Sequence, residues 1–345
     1  MKDLDKKIST EIISFFSSKG GSTKTTMAIN TATLLADMGF NVLLVDTDKQ
    51  NSLSKLLEIE QTQTLMESLI KETDQDRIED LSKKINEIEK RLTHLEDVLE
   101  NPDLLNNKDK SFLAKVASKN GIDSLWLMPN RKDYNKIESI CSKTWFRAFK
   151  KLFSHNFFKQ FNYIIIDTQG SSGTVQGAVC HASSKVICPI VPKPVDVEAL
   201  FDDTSAALDL LIESKSEGLT KAEIFTFFCL VDRGKTSQEI IRLTIPYLFN
   251  KNYNHLKTYI PDSNKVLDAS AKKIPAHQYD YKSADNKLSL CDYMHLFIWE
   301  LLPELCTDQM IFAANSLLGS IDPIKIKSKY KLLLELGNKQ GGNNE

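Results

Sequence analysis

Apolar residues mark out an alternation of strands and helices along the chain. Glu11-Ile12-Ile13-Ser14-Phe15-Phe16 is short, β-branched and aromatic, which predicts a strand. Met27, Ala28, Ile29, Ala32, Leu34, Leu35 and Met38 then recur at helical spacing up to Gly39, a C-terminal stop. Val42-Leu43-Leu44-Val45-Asp46-Thr47-Asp48 reads as a buried parallel strand, and Tyr163-Ile164-Ile165-Ile166-Asp167 as a second. Further strands are predicted at Ile122–Met128, Lys185–Pro192 and Ile224–Val231, with helices at Val197–Ser214 and Ser237–Phe249. Residues 52–75 look helical but weakly patterned, Tyr134–Phe158 is amphipathic, and Ala284–Leu302 and Asp308–Leu318 form a closing pair of helices. Alternating strands and helices imply right-handed crossovers. The expected fold class is therefore α/β, a mainly parallel twisted sheet with helices on both faces.

One segment breaks the alternation. Ile78, Leu81, Ile85, Ile88, Leu92, Leu95 and Leu99 follow one another three or four residues apart, with charged residues between them. That is the a/d seam of a coiled coil. Asn101-Pro102 ends it, and a shorter helix is predicted at about Lys110–Ser118. The seam either packs within its own domain or meets a helix of a partner or second subunit. In-domain packing is preferred, because an exposed sheet edge needs cover. The expected organisation is one domain over 1–322 with a helical or coiled-coil insertion at about 62–118, then a basic and finally polar tail over 323–345.

Composition narrows the class. At 345 residues and 41% hydrophobic content there is enough apolar material for a large core. A formal charge of −2 argues against a broadly basic surface, so any nucleic-acid contact must be a local patch. The six cysteines are scattered without a Cys-x-x-Cys pair, which suits reduced, buried thiols rather than a metal or disulfide framework. The charged first ten residues do not read as a leader, and no apolar run approaches the ~20 residues of a membrane span. A cytoplasmic location is expected.

The chemistry concentrates after the first strand, in Ser17-Ser18-Lys19-Gly20-Gly21-Ser22-Thr23-Lys24-Thr25-Thr26. Strand, small-residue loop and a helix opening at Lys-Thr-Thr form the phosphate cradle of a P-loop. Gly20 and Gly21 let backbone N–H groups approach phosphate oxygens, and the helix N-terminus adds its positive end. Ser22, Thr23 and Thr26 complete the cradle. Lys24 is placed to neutralise β- and γ-phosphates and Thr25 to ligate Mg²⁺. Asp46 and Asp48 lie at a strand's carboxyl end, where such sheets bind ligands; two acids there can orient an attacking water and help hold the Mg²⁺ shell. Asp167 ends a second apolar strand in the manner of a Walker B acid, and Gly170 lets a backbone N–H approach the γ-phosphate.

The strict P-loop pattern fails, since Ser18 and Thr23 stand where glycines belong. Lys-Gly-Gly-x-x-Lys-Thr, beginning at Lys19, instead resembles the deviant Walker A motif of the ParA/MinD family of ATPases, nearest the ParA/Soj-like partition members that have no N-terminal helix-turn-helix. The resemblance covers residues 11–58 and about 122–303 and implies a P-loop NTPase fold of the deviant Walker A type. It further implies that Lys19 crosses a dimer interface to the partner's nucleotide and that Asp48, in Asp46-Thr47-Asp48-Lys49-Gln50, serves hydrolysis. Lys49 and Gln169-Gly170 depart from the prolines common in the family. Pro261 and Asp262 fall in the segment that packs against adenine in relatives.

The implied function is an ATPase that dimerises on ATP·Mg²⁺, binds DNA nonspecifically as the ATP dimer, and drives partition of plasmid or chromosomal DNA with a ParB-like or other adaptor. Arg233, Lys235, Lys272 and Lys273 are candidate phosphate contacts; Asp202, Asp203, Asp209 and Glu213 weigh against a basic helix at 197–214. Two other readings stay open. One is a MinD-like positioning ATPase held at a membrane by its tail, disfavoured because Ile324–Leu334 has a poor apolar face. The other is a nucleotide-switched scaffold acting through the heptad segment.

Overall fold

Strands β1 (Glu11–Phe15), β2 (Val42–Asp46), β3 (Ala114–Lys115), β4 (Leu125–Met128), β5 (Tyr163–Asp167), β6 (Lys185–Ile190), β7 (Glu223–Val231), β8 (Asn254–His255) and β9 (Ile260–Pro261) build one sheet in a computed structural model. The structure describes residues 9–305 apart from 22, 58, 117–123, 131–133, 145, 172 and 281–287. Strand order is β3-β4-β2-β5-β1-β6-β7-β8, with β9 also paired to β7. Every pairing is parallel except that of β3 with β4. The expected mainly parallel sheet is thus observed, and the central strands are buried end to end.

Period-2 alternation decides which helices cover which face. Tyr163 and Ile165 point to the side covered by α1 (Lys24–Asp37), where Met27, Ala32 and Leu35 meet Phe297 and Ile298 of the helix near residue 300. Ile164 and Ile166 point to the other side. Each such isoleucine, fully buried, contributes about 1.5–3 kcal/mol. After β2 come α2 (Ser52–Leu56), α3 (Glu60–Lys71), α4 (Gln75–Arg91) and α5 (Leu95–Glu100). The amphipathic stretch Tyr134–Phe158 carries α6 (Tyr134–Thr144), α7 (Arg147–Phe153) and a 3-10 turn at Asn156–Gln160. Then follow α8 (Thr174–Ala182), α9 (Pro194–Ala199), a π-turn at Leu200–Thr204 and α10 (Ser205–Ser216). The described residues close with α11 (Lys235–Asn250), α12 (Asn264–Ala271), α13 (Ala276–Tyr279) and α14 (Leu290–Leu301).

The heptad segment corrects the expectation of one continuous helix. Helix α4 stops at Arg91, and Leu92 is extended. The cause is long-range: Thr93 N–H donates to the Phe112 carbonyl at 2.8 Å and Leu95 N–H to the Pro129 carbonyl at 2.9 Å, pulling the backbone out of helical geometry. Leu92 enters the α1-side core, whereas Leu95 and Leu99 enter the opposite one with Leu43 and Val45. The first half of the seam forms a helical hairpin, α3 against α4, at the β3 edge of the sheet. The helix expected at Lys110–Ser118 is also replaced, by a 3-10 turn at Lys110–Phe112 and by β3, whose Ala114 and Lys115 pair with Leu127 and Trp126. The predicted helix Asp308–Leu318 and the 323–345 tail lie outside the described residues. No helix among the described residues is long and apolar enough to cross a membrane.

Candidate nucleotide site

The loop between β1 and α1 turns through two left-handed residues, Gly21 (φ 76°) and Thr23 (φ 63°). Thr23 fills a position that the standard motif reserves for glycine, and a β-branched residue is disfavoured in that conformation. Its hydroxyl donates to Cys229 Sγ of β7 at 3.0 Å, which anchors it. The other departure, Ser18, is anchored too: its N–H donates to Thr204 Oγ1 at 3.2 Å, and the two hydroxyls lie 2.6 Å apart. Both replacements thus exchange backbone freedom for side-chain bonds to neighbouring elements. Helix α1 opens at Lys24 with no acidic residue of its own in the first turn, and its positive end faces the loop.

Lys24 is 6% exposed and its Nζ donates to the Lys19 carbonyl at 2.8 Å, closing the loop on itself. Burial holds its ammonium below the usual lysine range, against the opposing influence of the nearby Asp167 and Asp48 carboxylates. Lys19 projects to the rim, where its Nζ lies 2.9 Å from Asp196 Oδ1 on α9.

Strands β5 and β2 bring the acids in, because Asp46 and Asp167 are register partners at the sheet's carboxyl edge. Thr25 Oγ1 donates to Asp167 Oδ2 at 2.7 Å, while Asp167 Oδ1 is buried without a hydrogen-bond partner. Burial pushes the Asp167 carboxyl up to about 8; Thr25 opposes the shift and the Asp46 charge adds to it. An orphaned, fully buried carboxylate oxygen beside a threonine hydroxyl is a donor set that suits a hard divalent cation. Asp46 is engaged differently: Oδ1 accepts from Asp48 N–H at 3.0 Å and Oδ2 from Leu53 N–H at 3.1 Å, so it pins the loop that carries Asp48. Asp48 is half-buried and accepts from Gln50 N–H at 2.9 Å and the Ser52 hydroxyl at 3.2 Å.

Gly170 packs on the P-loop itself. A Cβ there would lie 2.5 Å from the Gly20 nitrogen and 2.7 Å from the Lys19 carbonyl carbon, so only glycine fits. Beside the loop runs an apolar cleft lined by Thr26, Met27, Cys229, Ile260, Val266 and Met294. Ile260 and Val266 flank Pro261 and Asp262 in sequence. Asp262 itself is exposed and anchored by its N–H to the Val231 carbonyl at 2.9 Å.

The structure therefore gathers Lys19, Gly20, Lys24, Thr25, Asp46, Asp48, Asp167 and Gly170 at one edge, while Ser22 lies outside the described residues. Arg233 and Lys235 are exposed at the turn from β7 into α11, and Lys272 and Lys273 are exposed at the end of α12. Lys272 stands over the Tyr279 ring at 4.9 Å. Asp196, Thr204 and Cys229 were not legible as site residues, since each reaches the loop only through the fold. The buried cysteines Cys141, Cys180, Cys188, Cys229 and Cys291 are pushed by burial up to about 12, which leaves them as inert thiols.

Residues 10–202 match the family model described as AAA domain, more than half of the chain. The chain belongs to this family, and its Lys19–Thr25 loop has the deviant Walker A pattern of the ParA/MinD type. No curated protein matches it. Among solved structures it resembles McdA from Cyanothece in complex with ATP, at 14% identity, 85% of this chain, 96% of that one and a TM-score of 0.62. It also resembles a putative plasmid partition protein of Borrelia burgdorferi B31 bound to AMPPNP, at 21% identity, 85% and 98% coverage and a TM-score of 0.55. A ParA family ATPase from Chlorobium tepidum TLS matches at 16% identity, 85% and 98% coverage and 0.55. At such identities the likeness is one of fold. Cobyrinic acid a,c-diamide synthase from Mycobacterium smegmatis, with bound ADP and magnesium, shares that fold at 17% identity, 85% and 96% coverage and a TM-score of 0.56.

Proposed function

We propose that the chain binds ATP and Mg²⁺, dimerises in that state, and hydrolyses ATP to drive partition or positioning of plasmid or chromosomal DNA. The observation that carries this reading is the Thr25–Asp167 pair, with one buried carboxylate oxygen left unpartnered directly beside a P-loop lysine. Thr25 and Asp167 are the residues that would hold Mg²⁺, which when bound supplies charge neutralisation for the phosphates. Lys24 exchanges its bond to the Lys19 carbonyl for the phosphates, a charge-assisted contact. Asp48, held by Gln50 and Ser52 on a loop pinned by Asp46, orients the attacking water. Lys19 leaves Asp196 and reaches the partner's nucleotide in the dimer. Pro261 and Asp262 flank the adenine cleft.

The ATP dimer binds duplex DNA without sequence preference through Arg233, Lys235, Lys272 and Lys273, and a ParB-like or other adaptor triggers turnover. Its expected place is the cytoplasm, on the nucleoid. Co-sedimentation with duplex DNA in ATP·Mg²⁺, across a salt series, tests this. Binding should be indifferent to sequence, and each lost phosphate contact should flatten the log–log salt slope by about 0.9. An ATP-bound dimer that ignores DNA at low salt contradicts the DNA half of the reading.

A further inference from the structure

On the sheet face opposite α1, the buried side chains fall into two separate clusters. One gathers Ile164, Ile166 and Val179; the other Phe16, Val186, Leu208 and Leu211. Between them β1 presents a polar residue, Ser14, which is fully buried and accepts from the Ser183 hydroxyl at 3.0 Å. A cavity of about 570 Å³ opens between α8 and α10, with walls that include Phe16, Cys180, Leu208 and Leu211 of the second cluster. Concave spaces of roughly 300–1,000 Å³ are those that enclose small ligands.

Among the described residues its walls carry no Asp, Glu, Lys or Arg. The one titratable ring, His181, is neutral: Nδ1–H donates to the Gly177 carbonyl at 2.8 Å, Nε2 accepts from the Ser214 hydroxyl at 2.9 Å, and burial lowers its proton affinity. Phe146 stacks on it with centroids 4.0 Å apart and planes at 14°. Gly177 leaves open space, since a Cβ there would meet nothing within 4 Å. The mouth is lined by the exposed residues Ser142, Thr174 and Leu210.

We propose that this cavity binds an uncharged, largely apolar small molecule with one or two hydrogen-bonding groups. Its body lies on Phe16, Leu208 and Leu211 and its polar end at Ser142 and Thr174. The walls continue into the nucleotide loops: Phe16 leads to Ser18, Thr204 just before α10 bonds Ser18, and α8 follows the loop of Gly170. An occupant is therefore coupled to nucleotide affinity, a consequence that rests on the proposed nucleotide site, as the cavity itself does not.

The test is a fluorescence titration of the full chain with N-phenyl-1-naphthylamine, a neutral apolar probe bearing one N–H. Wild type should bind it saturably, one to one. Gly177→Met, which fills the cavity while raising helix propensity, and Ala207→Phe should each bind at least tenfold more weakly, with unchanged melting temperature for at least one of them. No saturable binding by wild type overturns the proposal and leaves the cavity to a partner's side chain; so does wild-type affinity in both folded variants. Probe binding that ATP·Mg²⁺ does not alter keeps the site and removes only the coupling. Failure of ATP binding with probe binding intact removes the nucleotide reading alone.

Discussion

Gly170 and Gly20 meet backbone to backbone: a Cβ on Gly170 would stand 2.5 Å from the Gly20 nitrogen. The loop after β5 thus rests directly on the phosphate cradle, and movement in one is felt in the other. Gly170→Ala must displace one of two backbones. It should weaken ATP affinity at least tenfold, about 1.4 kcal/mol, while the core strands keep the fold. Equilibrium titration with a fluorescent ATP analogue, beside a thermal melt, checks this. Unchanged affinity would mean that the two loops are not coupled.

Asp167 predicts a pH effect whose sign is fixed. Its carboxyl, ordinarily near 3.8, stands at about 8 in the folded chain because burial disfavours the charge. The folded state therefore binds the proton more tightly than the unfolded one. Its contribution is full below about pH 4 and is lost as pH rises towards 8. Without nucleotide or divalent cation, Asp167→Asn should melt progressively higher than wild type as pH rises through that window, and the two should converge at low pH. Parallel melting curves across the window would show that the carboxyl is not destabilised by burial.

Asp48→Ala should separate chemistry from binding. The carboxylate holds its own loop through Gln50 and Ser52 and makes no bond to the P-loop backbone in the described contacts. Turnover should fall 10²-fold or more with nucleotide affinity within about threefold of wild type. Phosphate release and nucleotide titration on the same preparation measure both. Equal losses would assign Asp48 to holding the cation shell.

Lys24, Thr25 and Asp167 were readable because the chemistry of a P-loop and a Walker B strand is encoded by residue type at local spacing. The parallel sheet followed from apolar runs such as Tyr163–Ile166. The end of α4 at Arg91 was not readable, because it depends on Thr93 and Leu95 bonding to Phe112 and Pro129, whose positions only the tertiary fold supplies. The strand at Ala114–Lys115 was likewise hidden: its pairing with Trp126 and Leu127 overrides a helical composition. Asp196 carried no local signal at all, since its partner Lys19 lies on a different strand's loop.

That break in the heptads has a stability consequence. Leu95 is fully buried among Leu43, Val45 and Phe149, so Leu95→Ala should cost about 2–5 kcal/mol. Ile78, on the half-buried face of α4, should cost much less. Denaturant melts of both variants, with their oligomeric mass, decide the matter. An unchanged melt for Leu95→Ala with loss of a complex would show that the segment serves a partner.

The ATP-driven dimer is tested most directly by light scattering on the eluting protein, with and without ATP·Mg²⁺, for wild type, Asp48→Ala and Lys19→Ala. The account predicts a monomer without nucleotide, a doubling of mass for Asp48→Ala in ATP·Mg²⁺, and a Lys19→Ala protein that binds ATP yet stays monomeric. A Lys19→Ala chain that doubles in mass and turns over ATP like wild type would contradict it.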